Sequence, residues 1–139
     1  MNAVQHATGL FAGVDVGASR TKAVLADPGG ELLGFDVRKS GIDFEDTAEQ
    51  CLQSALKQAG SSADALTSCV ATGYGRNNVR RAGFTKTEIA CHAKGCFHHF
   101  PRSMTIVDIG GQDNKVIKLD STGRRTDFRM NRKCAAGTG

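Results

Sequence analysis

The chain has 139 residues, of which 40% are hydrophobic, which is enough for a domain with a buried core. Its net charge of +4 is mild, and its loosely clustered basic residues lack interleaved aromatic residues, which argues against a nucleic-acid-binding surface. The sequence predicts a cytoplasmic protein for three reasons. Its five cysteines have irregular spacing, and no signal peptide is recognisable. No apolar run approaches the roughly 20 residues that span a bilayer.

Short apolar runs separated by turn residues fill the first part of the chain. Residues 10–16 and 21–26 predict two strands joined by a tight turn. Pro28-Gly29-Gly30 is a second turn signal, and residues 31–38 predict a third strand. Three consecutive strands joined by tight turns predict an antiparallel meander.

An amphipathic helix is predicted next. Asp43 is a candidate N-cap, apolar residues recur at three- and four-residue spacing from Phe44 to Ala59, and Gly60 ends the pattern. Residues 67–71 then predict a buried strand.

Further elements follow this strand. Residues 72–76 predict a tight loop, residues 86–89 a short strand, residues 91–100 a helix stopped by Pro101, and residues 104–109 the first strand of a second meander. Antiparallel strands followed by crossover connections predict an α/β fold with a mixed sheet and helices on its faces.

The first strand–turn–strand of the chain is repeated later in the sequence. The matched pairs, each 93 residues apart (108 − 15), are Asp15/Asp108, Gly17/Gly110, Lys22/Lys115, Asp27/Asp120, Gly30/Gly123 and Phe35/Phe128. One such hairpin alone is best interpreted as a simple turn. Two copies in register, each with an acid and a glycine at its tip, favour two halves around a shared phosphate site.

The residue types at the hairpin tips suit phosphate chemistry. A glycine lets backbone N–H groups approach a phosphate oxygen, and a carboxylate at a strand end can hold Mg²⁺ through water. Ser19 and Lys22 add a hydroxyl and a cation to the first tip. Gln112 and Asp113 place an amide and a carboxylate where an attacking water could be oriented.

Several motifs together carry a family resemblance. The two hairpins resemble the first and second phosphate motifs of the superfamily of actin, sugar kinases and heat-shock chaperones. The more specific motifs are Ala71-Thr72-Gly73-Tyr74-Gly75-Arg76-Asn77, Glu88-Ile89-Ala90-Cys91-His92-Ala93-Lys94-Gly95, Asp108-Ile109-Gly110-Gly111-Gln112-Asp113 and Lys133-Cys134-Ala135-Ala136-Gly137-Thr138-Gly139. Their combination resembles the ATP-dependent activators of 2-hydroxyacyl-CoA dehydratases and the ATPase subunits of benzoyl-CoA reductase.

The resemblance implies a fold and an activity. It implies two ribonuclease-H-like domains with ATP between them, and a dimer of identical or related subunits bridged by one [4Fe-4S] cluster. ATP hydrolysis would drive a low-potential electron from ferredoxin or flavodoxin into the partner dehydratase or reductase. Residues 1–102 would form the first domain and residues 103–139 the opening strands of the second, so the chain is expected to be an N-terminal piece that is inactive alone.

The resemblance also assigns roles to residues. Gln112 or Asp113 would lie near the attacking water, Asp15 and Asp108 would hold Mg²⁺ through water, and Cys134 matches the first cluster cysteine. From the sequence pattern alone, Cys134 is better interpreted as a small buried cysteine. The second cluster cysteine and the adenosine motif are missing. The residues assigned to the nucleotide are Asp15, Gly17, Ala18, Ser19, Lys22, Asp108, Gly110, Gly111 and Gln112.

Two other functions are compatible with the phosphate motifs. A non-redox small-molecule kinase of the same superfamily would need an acceptor site and would not use Cys134. A non-catalytic regulatory relative would keep the fold without hydrolysing ATP.

The other cysteines are better explained by packing. The Cys and His residues between positions 91 and 99 have a spacing wider than usual zinc motifs, so a packing or hydrogen-bonding role is preferred for Cys91 and His92. Cys51 on the apolar helix stripe and Cys69 in a buried strand are predicted core residues.

Overall fold

The structure, a computed structural model, describes residues 9–110 and 113–131. The chain divides between Thr85 and Lys86 into two compact units. The predicted domain limits, 1–102 and 103–139, stay a prediction. Within the described ranges, no helix has both the length and the apolar character that crossing a membrane requires.

The first unit is built on a five-stranded sheet. Its strands are β1 Phe11–Val16, β2 Arg20–Ala26, β3 Leu32–Lys39, β4 Ser68–Thr72 and β5 Phe84–Thr85. The strand order is β3-β2-β1-β4-β5, in which β1, β2 and β3 form the predicted antiparallel meander and β4 joins β1 in parallel. This mixed sheet confirms the predicted fold class.

Helix α1, Phe44–Gln58, covers one face of this sheet. Asp43 fixes its start, because the Asp43 carboxylate accepts a hydrogen bond from the N–H of Asp46 at 2.9 Å. The buried face of the helix packs against alternate sheet residues such as Val14 and Leu25. The buried helix residues are Ala48, Cys51, Leu52, Ala55 and Leu56.

Two short 3₁₀ turns, Ala63–Ala65 and Arg76–Asn78, flank β4. Cys69 of β4 is 4% exposed and Cys51 of α1 is 0% exposed, so both are core residues as predicted. Burial raises the pKa of both thiols, that of Cys51 to about 11. Both therefore remain protonated at neutral pH.

The second unit combines one helix with an antiparallel three-stranded sheet. Its elements are α2 Glu88–His99, β6 Met104–Ile109, β7 Asn114–Leu119 and β8 Arg125–Asn131. The strand order is β6-β7-β8. Ala93 of α2 packs with Ile117 and Leu119 of β7 in a small apolar cluster.

The predicted strand at residues 86–89 is wrong. Thr87 is the N-cap of α2, because its hydroxyl accepts a hydrogen bond from the N–H of Ala90 at 3.3 Å. The cap satisfies one of the backbone N–H groups that a helix start leaves unpaired, so the helix begins at Glu88, earlier than predicted. The strand that precedes it is the two-residue β5.

The predicted duplication is present in the strand register. β1 pairs with β2 so that Asp15 lies opposite Lys22, and β6 pairs with β7 so that Asp108 lies opposite Lys115. The pairing of the second strand with the third shifts by one residue at the equivalent place in both copies. The two meanders are therefore equivalent strand by strand.

The second turn of each meander is also equivalent. The N–H of Gly30 donates to the carbonyl of Asp27 at 3.0 Å, and the N–H of Gly123 donates to the carbonyl of Asp120 at 3.1 Å. Both glycines have positive φ, 86° and 79°, a conformation that glycine adopts at little cost. Asp27 and Asp120 are thus turn-forming residues.

The two meanders are covered on opposite faces. Val14 and Val16 of the first copy are 1% and 0% exposed under α1, whereas the equivalent Val107 and Ile109 are 64% and 67% exposed. In the second copy, α2 instead packs on the face that carries Ile117. Within the described residues, the helix of each unit therefore packs on a different face of its meander.

Candidate functional site

The first candidate site is the tip between β1 and β2. The N–H of Gly17 donates to the carbonyl of Arg20 at 3.0 Å, and a Cβ on Gly17 would lie 2.8 Å from that oxygen. The hydroxyl of the buried Ser40 donates to the Gly17 carbonyl at 2.5 Å and shares a 2.9 Å hydrogen bond with the Thr21 hydroxyl. The N–H of Ser40 donates to the Ser19 carbonyl at 3.0 Å. The tip therefore requires glycine and is held by Ser40, the residue that follows β3.

Asp15 and Lys22 form an ion pair next to this tip. Lys22 Nζ donates to Asp15 Oδ2 at 2.8 Å, and the side chains are 44% exposed for the lysine and 32% for the aspartate. A partly exposed pair of this kind contributes little to stability. The Lys22 ammonium has three donors and faces solvent, so it can also bind a ligand anion.

The second carboxylate oxygen of Asp15 has a different environment. This Oδ1 and the hydroxyl of Thr72 are buried without a hydrogen-bond partner in the described part of the chain. Asp15 and Thr72 are paired in register at the carboxyl ends of the parallel strands β1 and β4, so their side chains lie side by side. Because buried polar atoms normally have partners, this position fits a water molecule or a hydrated cation.

Gly73 leaves the space beside Asp15. Its φ of 91° is in the region that favours glycine. A Cβ at this position would collide with Asp15 Oδ1 and would lie 2.5 Å from the carbonyl oxygen of Val16. The glycine-rich loop after β4 is therefore required for the conformation of the Asp15 carboxylate.

The second candidate site is the tip between β6 and β7. The N–H of Gly110 donates to the carbonyl of Asp113 at 2.9 Å, which reproduces the bond across the first tip. Gly111, Gln112 and Cys134 lie outside the described residues. Their predicted roles stay predictions.

A buried lysine lies at the centre of a charged cluster in the second unit. Lys115 is 3% exposed, and its Nζ donates to Asp113 Oδ1 and lies 3.4 Å from Asp108 Oδ2. Glu88, in the first turn of α2, has its Oε2 at 3.9 Å from the same Nζ. His92, one helical turn further, has its Nε2 at 3.6 Å from Asp108 Oδ2.

The lysine of this cluster is charged. Burial alone would lower the pKa of Lys115, but its hydrogen bond to Asp113 and the charges of Glu88, Asp113 and Asp108 together raise the pKa above its ordinary value. One ammonium among three carboxylates leaves an excess of negative charge. A ligand at this tip would meet carboxylates whose charge is partly neutralised.

The two tips collect all of the predicted site residues that the structure describes. Asp15, Gly17, Ala18, Ser19 and Lys22 lie together at the first tip, and Asp108, Gly110 and Asp113 at the second. The residues that sequence reasoning did not assign to the site are Thr72, Gly73, Glu88, His92 and Lys115. The repeat offered a signal for Lys115, because it occupies the position of Lys22.

The first unit also has a surface cavity of about 470 Å³ between the start of α1 and residues 79–81. Acidic residues of α1 line it, and none of the residues of the first tip does. Across residues 9–110 and 113–131, no cluster of three or more His, Cys, Asp or Glu side chains is arranged to hold a metal ion.

The mixed sheet and the duplicated meander define a ribonuclease-H-like α/β protein. Residues 12–139 match the model of the BadF/BadG/BcrA/BcrD ATPase family, and the chain belongs to this family.

Activators of acyl-CoA dehydratases are among the proteins that the chain resembles. It is 42% identical to the activator of lactoyl-CoA dehydratase from Anaerotignum propionicum over 127 residues, which are 91% of this chain and 49% of that protein. The chain thus spans about half the length of such relatives.

Two solved structures have the same fold. The (R)-2-hydroxyglutaryl-CoA dehydratase component A of Acidaminococcus fermentans superposes with a TM-score of 0.85 at 35% identity, covering 94% of this chain and 50% of that one. The activator of the 2-hydroxyisocaproyl-CoA dehydratase from Clostridium difficile with bound ADPNP gives a TM-score of 0.83 at 36% identity, covering 94% and 48%.

Proposed function

We propose that the full-length protein carrying this sequence is an ATP-dependent activator of a 2-hydroxyacyl-CoA dehydratase. In this proposal ATP hydrolysis accompanies the transfer of one low-potential electron to the dehydratase. Ferredoxin or flavodoxin supplies the electron, and the active form is a dimer. A benzoyl-CoA reductase is the alternative acceptor. Family membership and the 42% identity to a dehydratase activator support the proposal.

The duplicated acid–glycine hairpin is the observation that carries the ATP-dependent part of the proposal. We assign the nucleotide phosphates to the two tips, which have the same backbone geometry: the N–H of Gly17 bonds the carbonyl of Arg20, and the N–H of Gly110 bonds the carbonyl of Asp113. Lys22 contributes a cation with exposed donors. The superposition on an activator that holds ADPNP supports this assignment.

Magnesium fits the environment of Asp15. The buried Oδ1 of this carboxylate lacks a partner, and Asp15 would hold a hydrated Mg²⁺, which would neutralise part of the phosphate charge. The neighbouring Thr72 hydroxyl can accept from the same water shell. Asp108 is assigned the equivalent role at the second tip.

Gln112 and Asp113 are assigned to the attacking water. An amide or carboxylate at this place would orient the water for attack on the terminal phosphate without covalent participation of the protein. Asp113 is held by Lys115, so its carboxylate is fixed in direction before a ligand binds.

Cys134 is assigned to a [4Fe-4S] cluster shared by two subunits. The support is its place in the Lys133-Cys134-Ala135-Ala136-Gly137-Thr138-Gly139 motif and the family of the chain. Such a cluster stores one electron at low potential when thiolates hold it.

The repeat provides matched variants for testing the nucleotide site. In the full-length protein prepared without oxygen, Asp15→Asn and Asp108→Asn should abolish ATP hydrolysis. Asp27→Asn and Asp120→Asn should retain it, because these aspartates only form turns and asparagine forms the same turns. Equal losses in all four variants would contradict the assignment.

Cys134 has an independent test. Cys134→Ala should remove the brown colour and the electron paramagnetic resonance signal of the reduced protein while leaving MgADPNP binding intact. A colourless unmodified protein that binds and hydrolyses ATP would favour the kinase alternative. An unmodified protein without ATP hydrolysis would favour the regulatory alternative.

A further inference from the structure

We propose that Lys115 and Glu88 are positioning residues for the second phosphate tip: Glu88 of α2 holds the Lys115 ammonium between Asp108 and Asp113, and the ammonium sets the direction and effective charge of both carboxylates. The inference rests on the proposed nucleotide site. It assigns roles to a buried lysine and to a helix residue outside the hairpin.

The comparison of the two copies is the first argument. Lys22 and Lys115 occupy the same register position, each opposite an aspartate of the preceding strand. The Lys22 side chain is 44% exposed and pairs with one carboxylate, whereas the Lys115 side chain is 4% exposed and lies within 4 Å of three. Lys115 is therefore buried within the protein, and its donors face Asp108, Asp113 and Glu88.

The charge balance is the second argument. Without the ammonium, Asp108 and Asp113 would lie close together with no neutralising group between them, and a polyphosphate would be repelled at the same tip. Removing one partner of a buried ion pair also leaves the remaining charges uncompensated, which is more costly than losing an exposed pair. Loss of the Lys115 ammonium should therefore weaken nucleotide binding even though Lys115 is buried and does not itself face solvent.

Helix α2 is the third argument. Glu88 lies in the first turn, and His92 lies four residues later on the same helix face. Glu88 Oε2 lies 3.9 Å from Lys115 Nζ, and His92 Nε2 lies 3.6 Å from Asp108 Oδ2. The helix thus contacts both members of the Asp108–Lys115 pair, so its position helps to fix the tip.

The test is the affinity of the full-length protein for MgADPNP, measured by isothermal titration calorimetry. Lys115→Met should weaken binding roughly 10- to 100-fold, the range expected for lost charged hydrogen bonds. Lys118→Met is the matched control, because Lys118 lies on the same strand but is exposed, and it should bind as the unmodified protein does. Circular dichroism and the melting temperature verify folding.

The sign of the Glu88→Gln effect separates positioning from general destabilisation. With Lys115 present, Glu88→Gln removes the group that holds the ammonium, so binding should weaken roughly 2- to 5-fold. With Lys115→Met present, Glu88 is only one more negative charge near the phosphates, so Glu88→Gln should no longer weaken binding. Glu45→Gln, which also removes an acidic residue from the first turn of a helix but in α1, is the control and should have no effect.

Each outcome decides the inference. Unchanged affinity of Lys115→Met, or equal weakening by Glu88→Gln in both backgrounds, would overturn it. If Lys115→Met does not fold, the single variants Glu88→Gln and Glu45→Gln decide, and equal affinities would overturn it. Loss of binding in Asp108→Asn together with normal binding in the Lys115 and Glu88 variants refutes only this inference. An unmodified protein that does not bind MgADPNP refutes the nucleotide site as well.

Discussion

Substitution of Gly73 by alanine tests whether the loop after β4 determines the conformation of Asp15. The new methyl group would collide with Asp15 Oδ1 and would lie 2.5 Å from the carbonyl oxygen of Val16, both at the end of β1. Neither neighbour can turn away as the far end of a long side chain would. Either the end of β1 or the loop must therefore move, and the Asp15 carboxylate moves with it.

Alanine substitutions at three glycines separate the contributions of the unfolded state, the left-handed backbone and the collision to the change in the free energy of unfolding. Gly83 has open space and no positive φ, so Gly83→Ala should stabilise by about 0.4–1 kcal/mol through the unfolded state. Gly60 has a φ of 62° and open space, so Gly60→Ala adds a left-handed cost of about 1–2 kcal/mol. Gly73→Ala combines such a cost with the collision, and we expect a destabilisation of at least about 3 kcal/mol.

Urea-induced unfolding of the three variants in the full-length protein measures these differences, and titration with MgADPNP measures the effect on the site. Gly73→Ala should have the lowest unfolding midpoint and should lose nucleotide affinity, whereas Gly60→Ala should retain affinity. A Gly73→Ala variant that is no less stable than Gly60→Ala would refute the reasoning. If Gly73→Ala shows the expected loss of stability but an unchanged affinity for MgADPNP, Gly73 affects folding and not nucleotide binding.

Three further changes have expected outcomes. Ser40→Ala removes the hydroxyl that bonds Gly17 and Thr21, and should lower the free energy of unfolding in urea by about 1–3 kcal/mol. The control Ser103→Ala, at an exposed position, should leave this free energy unchanged. Equal losses in the two variants would contradict the role of Ser40. Asp43→Ala removes the N-cap of α1 and should cost about 1 kcal/mol, whereas Asp43→Asn should keep most of the stability. Because burial raises the pKa of Cys51 from 9.0 to about 11, folding favours the neutral thiol. The stabilisation by the neutral Cys51 thiol is complete below pH 9 and is lost as the pH rises to about 11. The free energy of unfolding should fall by about 2–3 kcal/mol over this range. A Cys51→Ala variant with the same pH dependence would contradict this explanation.

Local patterns were sufficient to predict most of the first unit, although not its short edge strand β5. The meander, the N-cap at Asp43 and the apolar stripe of α1 each depend on neighbours within a few residues, and the structure has all three. The start of α2 was missed because the β-branched residues Thr85, Thr87 and Ile89 favour a strand locally, whereas the Thr87 cap and packing of the helix on β7 favour a helix.

Local sequence patterns did not predict which face of each meander is covered by a helix. Val14 and Val107 are the same residue in the same register, yet one is 1% and the other 64% exposed. Among the described residues, α1 packs on the Val14 face of the first meander and α2 packs on the opposite face of the second, and local sequence patterns do not show which face a helix will cover. The same reason explains why the repeat matched Lys115 to Lys22 but did not show that Lys115 is buried beside Glu88.

The two lysines show that the two copies of one duplicated motif can have different electrostatic environments. Lys22 has a single carboxylate partner and a partly exposed ammonium with three donors, so it can contact a phosphate while it stays paired with Asp15. Lys115 is surrounded by three carboxylates, and turning away would leave those charges unpaired at a cost of several kcal/mol. The first copy is thus suited to follow a ligand as it changes charge, and the second is suited to hold a fixed geometry. In the proposed nucleotide site these two properties complement each other, since hydrolysis changes the charge of the phosphates while the attacking water must stay aligned.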